Sequence, residues 1–207
     1  MFTIRTLQAS VVCFACLAAA AAHSQDAIDE IVVTADFRER AVGDLPASIS
    51  VPDRDEIDRL AVQHFEELVN AVPNFNWSGD GHRARYFQIR GVGELEQYEG
   101  APNPSVGFLI DDIDFSGIGT IATLFDIERV EVLRGSQGTR YGANALGGLV
   151  YMRSVAPTTE AQGRAEISVG GDDAIAAGVA IGGGIGTDDN VTGRVSLHYH
   201  RSNGFRD

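Results

Sequence analysis

The sequence predicts an α+β domain, with a small mixed sheet and short helices, followed by a run of antiparallel β-hairpins. Two observations favour this organisation. Between residues 47 and 160, short apolar strands accompany one helical pattern and one glycine-rich loop. From Gly163 onward, apolar and polar residues alternate in long segments that are separated by turn residues. The chain therefore divides into a mixed domain and a purely β region.

The composition excludes some partners before any element is assigned. The chain has 207 residues, a net charge of -13 and a pI near 4.7, which argues against binding to nucleic acid. Partners are expected to be neutral, cationic or metal-bearing. Hydrophobic residues make up 44% of the chain and 24 residues are glycine, so the chain can bury a core but is rich in turns.

The N-terminal residues have the pattern of a secretory signal peptide. Arg5 supplies a positive charge, an apolar run follows over residues 7–22, and small residues end it. This run is shorter than the ~20 residues that a spanning helix needs. We therefore expect residues 1–24 to be removed. Cys13 and Cys16 would leave with them, so no disulfide or thiol chemistry is expected in the mature protein.

A short apolar island interrupts the polar stretch of residues 25–44. It comprises Ile31, Val32, Val33, Thr34 and Ala35. Periodicity alone favours a first core strand. The same residues could instead form an extended strip that adds as an edge strand to the sheet of a partner. Both interpretations require an extended backbone at this position.

A strand and a helix are predicted next. Residues 47–51 alternate as a short strand, and Asp53 begins a helix as its N-cap, with Glu56 at the spacing of a capping box. One continuous helix is expected up to Pro73, because six apolar residues fall on one helical face. These residues are Ile57, Leu60, Ala61, Phe65, Leu68 and Val72. His64 lies near this apolar stripe and is interpreted as an ordinary structural residue.

Three more strands are expected in the mixed domain. The first covers residues 106–110 and is followed by an acidic turn. The other two, at residues 127–133 and 149–153, flank a glycine-rich loop. Its glycines are Gly135, Gly138, Gly142, Gly147 and Gly148. Glycine at this density favours a compact loop in which chain segments approach closely, rather than a linker.

The C-terminal region predicts three long strands with one apolar and one polar face. Apolar residues alternate with polar or small ones over residues 165–169, 175–181 and 191–199. This pattern is typical of a membrane β-barrel, although a soluble antiparallel sheet has it too. The region from 163 to 207 has 45 residues. The smallest spanning barrels have about eight strands of ~9–11 residues, which requires more than ~70 residues. We expect this region to begin a barrel that it cannot close alone.

The sequence gives little support for catalysis or for a resident metal. An acidic turn that begins at Asp112 imitates a calcium loop, but Thr123 stands where the bidentate glutamate is required. His198 and His200 share one face of a strand without a third ligand nearby. Ser136 does not lie in a nucleophile elbow, and the glycine loop lacks the lysine of a phosphate-binding loop. We therefore expect no enzymatic activity, no cofactor and no metal site.

Three segments resemble the plug domain of TonB-dependent outer-membrane receptors. The strip from Glu30 to Ala35 is similar to a TonB box, while Ile89-Arg90-Gly91 and residues 128–148 match plug motifs. The resemblance covers residues 29–207. It implies a signal peptide at 1–24, a periplasmic segment with the TonB box at 25–44, a plug domain at 45–160, and the first strands of an incomplete transmembrane β-barrel at 161–207.

The resemblance also implies a function and a location. Such a receptor lies in the outer membrane of a Gram-negative cell, with the plug and the TonB box accessible from the periplasm. It takes up a scarce ligand, such as a siderophore-iron complex or cobalamin, and TonB supplies the energy of the inner-membrane proton gradient. The alternative is a truncated periplasmic or outer-membrane module that binds ligand or TonB without transport. Loops at 78–84 and 93–103 are expected to contact the ligand.

Two groups of residues receive roles from this resemblance. Glu30, Ile31, Val32, Val33, Thr34 and Ala35 would bind TonB as a donated strand. Arg90 and Arg134 match the arginines that hold the plug to glutamates on the inner barrel wall. A guanidinium in a poorly solvated contact needs a bidentate acceptor of this kind.

Overall fold

A computed structural model describes residues 32–33, 40–41, 43, 48–79, 83–96, 103–118, 122–186 and 191–204. The predicted signal peptide and the residues Glu30, Ile31, Thr34 and Ala35 of the predicted TonB box lie outside the described residues. Among the residues that are described, no helix is both long enough and apolar enough to cross a membrane.

Short elements make up the first part of the described chain, and long strands make up its end. The strands are β1 (Val32–Val33), β2 (Arg40–Ala41), β3 (Ser48–Ser50), β4 (Phe75–Ser78), β5 (Tyr86–Ile89), β6 (Val106–Ile110), β7 (Ile113–Asp114), β8 (Ile127–Arg134), β9 (Gly148–Ser154), β10 (Gln162–Val169), β11 (Ile175–Gly184) and β12 (Thr192–Arg201). The helices are α1 (Arg54–Leu60), a 3-10 helix (Phe65–Ala71), α2 (Gly138–Tyr141) and a second 3-10 helix (Gly142–Asn144).

Helix α1 begins as predicted and ends early. The Asp53 side chain accepts a hydrogen bond of 2.8 Å from the backbone N–H of Glu56, which confirms the N-cap. The predicted continuous helix is wrong, because α1 ends at Leu60 and its C-cap, Ala61, has a left-handed φ of 52°. Beyond it, the Leu124 N–H donates to the carbonyl of Gln63. This pairing extends the backbone where the apolar pattern predicted helix.

A five-stranded mixed sheet forms the centre of the domain. Its order is β3-β8-β9-β6-β7; β6 and β9 are parallel and the other neighbours are antiparallel. The predicted strands at 106–110, 127–133 and 149–153 are confirmed as β6, β8 and β9. A separate hairpin of β4 and β5 pairs Phe75 with Ile89.

The core of the domain lies on one face of this sheet. Phe65, Phe87 and Phe108 are buried there, and their ring centroids lie 5.2 to 5.6 Å apart, a range that is typical of favourable aromatic pairs. Leu60 belongs to the predicted helical stripe but is 43% exposed, because α1 ends beside it. A smaller cluster around Tyr151 covers the opposite face of the sheet.

The glycine-rich loop is compact, as predicted. It joins β8 to β9 and contains α2 and the second 3-10 helix. The Gly135 N–H donates to the carbonyl of Gly147, and the Gln137 N–H donates to the carbonyl of Ala145, at 3.1 and 2.8 Å. Gly135 has a φ of +103°, a conformation that residues with a side chain rarely adopt.

Strands β10, β11 and β12 form a second, antiparallel sheet in sequence order. Its outer face is apolar and exposed, with Ile167, Val169, Val179, Ile181, Val195, Leu197 and Tyr199 each more than half accessible. Its inner face, which we call the docking face, comprises Arg164, Ser168, Gly178, Arg194 and His198, all of which contact the α+β domain. The two-faced alternation predicted from the sequence is confirmed.

Candidate functional site

The predicted TonB box is described at two of its six positions. Val32 and Val33 form strand β1, which pairs antiparallel with Ala41 and Arg40 of β2. The side chain of Val33 is fully buried, which is what a core strand requires. Among the residues that the structure describes, this ladder comprises two residue pairs.

The two predicted latch arginines lie at the ends of strands from different sheets, close enough for the charge of Arg90 to act on Arg134. Arg134 ends β8, and its guanidinium donates to the hydroxyl of Ser50 at 2.6 Å and that of Ser48 at 3.3 Å. Arg90 follows β5, has a φ of 55°, and is exposed. Its backbone N–H donates to the carbonyl of Asn74. Burial, together with the positive charge of Arg90, lowers the pKa of Arg134.

Neither of these arginines has an acidic partner within the part of the chain that the structure describes. Arg134 donates to hydroxyls and to a carbonyl. The charged group that acts on it is Arg90, which repels it. The predicted carboxylate acceptors are therefore absent from the described residues. The pair forms a small, positively charged surface next to the first residues of β3.

Sequence reasoning missed an ion pair between the domain and the docking face. The Asp126 carboxylate accepts hydrogen bonds from the Arg194 guanidinium at 2.5 and 2.7 Å. The side chains are only 4% and 10% exposed. Asp126 lies directly before β8 and has a φ of 60°. The partners are 68 residues apart, so no local pattern connects them.

An aromatic contact lies beside this ion pair. The Phe125 ring packs over Gly178 in β11, where an added Cβ would come within 2.4 Å of the ring. The same ring stacks on the imidazole of His198, with centroids 5.5 Å apart and planes inclined by 20°. Glycine at 178 therefore makes room for an aromatic side chain of the domain.

A second, more exposed ion pair joins β10 of the second sheet to helix α1. Arg164 of β10 donates to both carboxylate oxygens of Asp58, at 2.9 and 3.1 Å. Close by, the Gln63 side-chain amide donates to the hydroxyl of Ser168. The Asp58 carboxylate is 44% exposed, so water screens this contact far more than it screens the Asp126 pair.

A polar cavity of about 240 Å³ lies between the domain and β12. It is lined by Gln63, His64, Glu67, Arg83, Thr123, His198 and His200. The described residues contain no group of three acidic, histidine or cysteine side chains that could bind a metal ion. His64 is buried and lies at the N-cap of the first 3-10 helix, where its ring nitrogen accepts weakly from the Glu66 N–H at 3.5 Å. This is the structural role expected for it.

The acidic turn between β6 and β7 is held by side chains of the domain. The Asp114 carboxylate accepts hydrogen bonds from the Ser116 N–H and the Asn144 amide, both at 2.8 Å. Burial opposes ionisation of Asp114, but these hydrogen bonds outweigh it and lower the pKa. Both oxygens of this carboxylate therefore already have donors within the protein.

A known family model matches this chain. The model described as the TonB-dependent receptor plug domain matches residues 41–149, which is more than half of the 207 residues. The matched segment begins in β2 and ends within β9, so it includes β3, β6, β7 and β8 and the first two residues of β9.

Several characterised proteins are similar to the chain. It is 26% identical to the ferripyoverdine receptor of Pseudomonas aeruginosa, covering 78% of this chain and 19% of the relative. It is also 26% identical to the vitamin B12 transporter BtuB of Photobacterium profundum, covering 89% and 30%. The crystal structure of the ferric yersiniabactin uptake receptor FyuA of Yersinia pestis superposes with a TM-score of 0.64 and 28% identity, over 73% of this chain and 24% of that structure. The chain thus spans less than a third of the length of these relatives.

Proposed function

The chain belongs to the family of TonB-dependent receptor plug domains, and from this membership we propose that it is the plug portion of an outer-membrane receptor. The receptor would take up a scarce ligand, a siderophore-iron complex, cobalamin or a similar small nutrient, and TonB would gate the passage. Residues 25–44 would be a periplasmic segment, residues 45–160 the plug, and residues 161–207 the first barrel strands. This is a transport function, and no bond of the ligand would be made or broken.

The carrying observation is the two-faced sheet of β10–β12. Its docking face binds the α+β domain through polar contacts, while the opposite face presents bulky apolar side chains such as Ile167, Ile181 and Leu197. A barrel that surrounds a plug has this distribution, with apolar residues toward lipid and polar residues toward the lumen. The arrangement supports a location in the outer membrane.

The strip from Glu30 to Ala35 is the proposed binding site for TonB. An extended strip can add to the sheet of a partner through backbone hydrogen bonds. To be donated, β1 must leave β2, and separating the two described residue pairs costs little compared with separating a long ladder. The side chain of Val33 would become exposed in this step. Its burial therefore keeps β1 paired with β2 until a strand of TonB competes for the strip.

Arg90 and Arg134 are proposed to hold the plug to carboxylates of the barrel. Two neighbouring guanidiniums without an acidic partner among the described residues repel one another, and burial, followed by this repulsion, lowers the pKa of Arg134. A pair of carboxylates would relieve the repulsion and would accept bidentate hydrogen bonds. The proposal predicts that such carboxylates face these arginines in the complete receptor.

The class of ligand is proposed from the relatives. One is named a ferripyoverdine receptor and another a vitamin B12 transporter, and both names denote a metal-bearing small molecule. The net charge of -13 accords with a neutral or metal-bearing ligand better than with a polyanion. Loops near 78–84 and 93–103, of which the structure describes 78–79, 83–84, 93–96 and 103, are the proposed contact region.

Uptake in whole cells tests the proposal. The natural gene, at its full length, is expressed in a receptor-deficient Gram-negative host, and uptake of radiolabelled iron chelates and cobalamin is measured with and without TonB. We expect accumulation that requires TonB. Val32→Pro is expected to abolish uptake and crosslinking to TonB, since proline cannot donate the backbone hydrogen bond of a paired strand.

Val32→Thr is the matched control, because threonine retains both the backbone N–H and strand propensity. It should transport at close to the parental rate. Binding of a labelled chelate without accumulation would support the non-transporting module instead. Unchanged uptake and crosslinking in Val32→Pro would show that the box lies elsewhere.

A further inference from the structure

Two consecutive residues carry the most buried contact between the domain and the second sheet. We infer that Phe125 and Asp126, which we call the docking dipeptide, form the recognition element by which the plug selects and retains strands β11 and β12. The partner surface is the combination of Gly178, Arg194 and His198. This inference does not depend on TonB or on the identity of the ligand.

The docking dipeptide is fixed rigidly by the domain that presents it. Leu124 before it and Ile127 after it are both buried in the main core. The carbonyl of Asp126 accepts a hydrogen bond of 3.0 Å from the N–H of Val155. The φ of 60° at Asp126 belongs to the left-handed region, which is uncommon for residues other than glycine and less so for aspartate. The carboxylate is therefore aimed before the second sheet binds.

The two contacts of the dipeptide select different properties of the partner strands. Phe125 requires a position without a side chain in β11, and Gly178 supplies it. Asp126 requires a donor with two parallel N–H groups in β12, and the Nε and a terminal nitrogen of Arg194 supply it. Gly178 and His198 are directly paired across the two strands, so the aromatic ring rests on one cross-strand pair. This hairpin therefore satisfies both contacts at once.

The ion pair of Asp126 and Arg194 is more deeply buried than the other ion pair at the docking face. Side-chain exposure is 4% for Asp126 and 10% for Arg194, compared with 44% for Asp58 and 32% for Arg164. An exposed pair contributes little, whereas removal of one partner from a buried pair leaves an uncompensated charge. Asp58 and Arg164 therefore provide a matched internal control.

The docking dipeptide is also distinct from the arginine pair. It lies before the first residue of β8, whereas Arg134 is the last residue of that eight-residue strand, about 27 Å away at the usual rise per residue. The polarity is reversed as well, because here the domain supplies the anion and the strand supplies the cation. Strand β8 thus has an anionic contact residue, Asp126, directly before its first residue and a cationic one, Arg134, at its last residue.

Cysteine alkylation in the full chain, purified in detergent, tests the inference. Ala180 is buried and lies on the same face of β11 as Gly178, so Ala180→Cys places a reporter under the domain. Cys13 and Cys16 are replaced by serine, and the rate of reaction with a maleimide reports the fraction of molecules in which the contact is open. Asp126→Ala and Arg194→Ala are each expected to raise the rate roughly a hundredfold, as for any buried charge that loses its partner. Asp58→Ala should change the rate less than about twofold.

The double variant distinguishes a direct contact from general damage. If the two residues act only through each other, Asp126→Ala with Arg194→Ala should react no faster than either single variant. Asp126→Asn keeps the shape of the side chain and replaces Asp126→Ala in the experiment where the alanine variant does not fold. Its rate of reaction with the maleimide is expected to be at least about tenfold above that of the parent. The inference is overturned if Asp126→Asn reacts within twofold of the parent rate, or if Asp58→Ala raises the rate as much as Asp126→Ala does. It is also overturned if the rate increase in the double variant equals the product of the increases in Asp126→Ala and Arg194→Ala.

Discussion

The Tyr151 hydroxyl donates a hydrogen bond of 2.8 Å to the carboxylate of Asp112, 39 residues earlier in the chain. Asp112 occupies the turn between β6 and β7 and has a φ of 68°. The guanidinium of Arg153 donates to the same phenol oxygen at 3.2 Å. The phenol is 1% exposed. Burial and the hydrogen bond to Asp112 raise the pKa of Tyr151 to about 12.

This contact predicts a loss of stability in alkali. The pKa of the folded state lies above the ordinary value of 10.0, so the contribution is fully present below about pH 10 and is lost as the pH rises through about 12. The free energy of unfolding should fall more steeply between pH 9.5 and 12 in the parent than in Tyr151→Phe. The 207 residues contain no lysine, which leaves tyrosines to dominate this range. Parallel curves for the two proteins would contradict the prediction.

Glu131 provides a prediction about the interior of the sheet. It is fully buried, and its carboxylate accepts a hydrogen bond of 2.8 Å from the Nε of Arg129. Glu131→Ala leaves part of the buried guanidinium charge uncompensated and should lower the free energy of unfolding by about 3 kcal/mol. Urea titration measures the change. Glu128 contacts the same guanidinium but is 44% exposed, so Glu128→Ala should cost less than about 1 kcal/mol.

Gly178 gives a steric prediction. A Cβ at this position would lie 2.4 to 2.7 Å from three atoms of the Phe125 ring. Gly178→Ala should therefore force the ring or the strand to move, at a cost of about 1–3 kcal/mol, which thermal unfolding of the purified chain detects. At Gly163 the nearest atom would be at 3.6 Å, an ordinary contact, so Gly163→Ala is the control. Equal melting temperatures for both variants would argue against close packing at Phe125.

The cap of α1 gives a local prediction. Asp53 accepts the Glu56 N–H and thereby satisfies one of the free donors of the first turn. Asp53→Ala should lower the free energy of unfolding by about 1 kcal/mol, and Asp53→Asn by less, since asparagine also caps well. Asp55 lies in the same first turn without being the cap, so a comparable loss in Asp55→Ala would point to helix charge rather than capping. Urea titration of the three variants decides between them.

Local signals in the sequence were sufficient for most of the elements. The N-cap at Asp53, the apolar strand at 106–110 and the alternation in β10–β12 each depend on residues close together in the chain, and each is confirmed. The continuous helix was wrong for a non-local reason. The hydrogen bond between Gln63 and Leu124 joins segments whose proximity the apolar spacing does not encode.

The contacts between the domain and the second sheet were beyond sequence reasoning for the same reason. Before the fold is known, Asp126 is one acidic residue before a strand, and Arg194 is one of several polar residues on a strand face. Arg90 and Arg134 received a shared role from the family resemblance alone, and no contact among the described residues tests it. Their pairing with carboxylates of the barrel stays a prediction.

The edge position of β3 has a mechanical consequence. A tension applied to the chain ahead of Val32 would pass β1 and β2 and reach Ser48, the first residue of β3, which pairs with Arg134. β3 is a three-residue strand at the edge of the sheet. A force that pulls this strand away from β8 would break its backbone hydrogen bonds one after another and not all at once. Rupture would begin at Ser48 and end at Ser50, and the hydroxyls of both serines accept hydrogen bonds from the Arg134 guanidinium. Traction from the N-terminal side would thus free Arg134 from its serine contacts while β8, β9 and β6 remain intact.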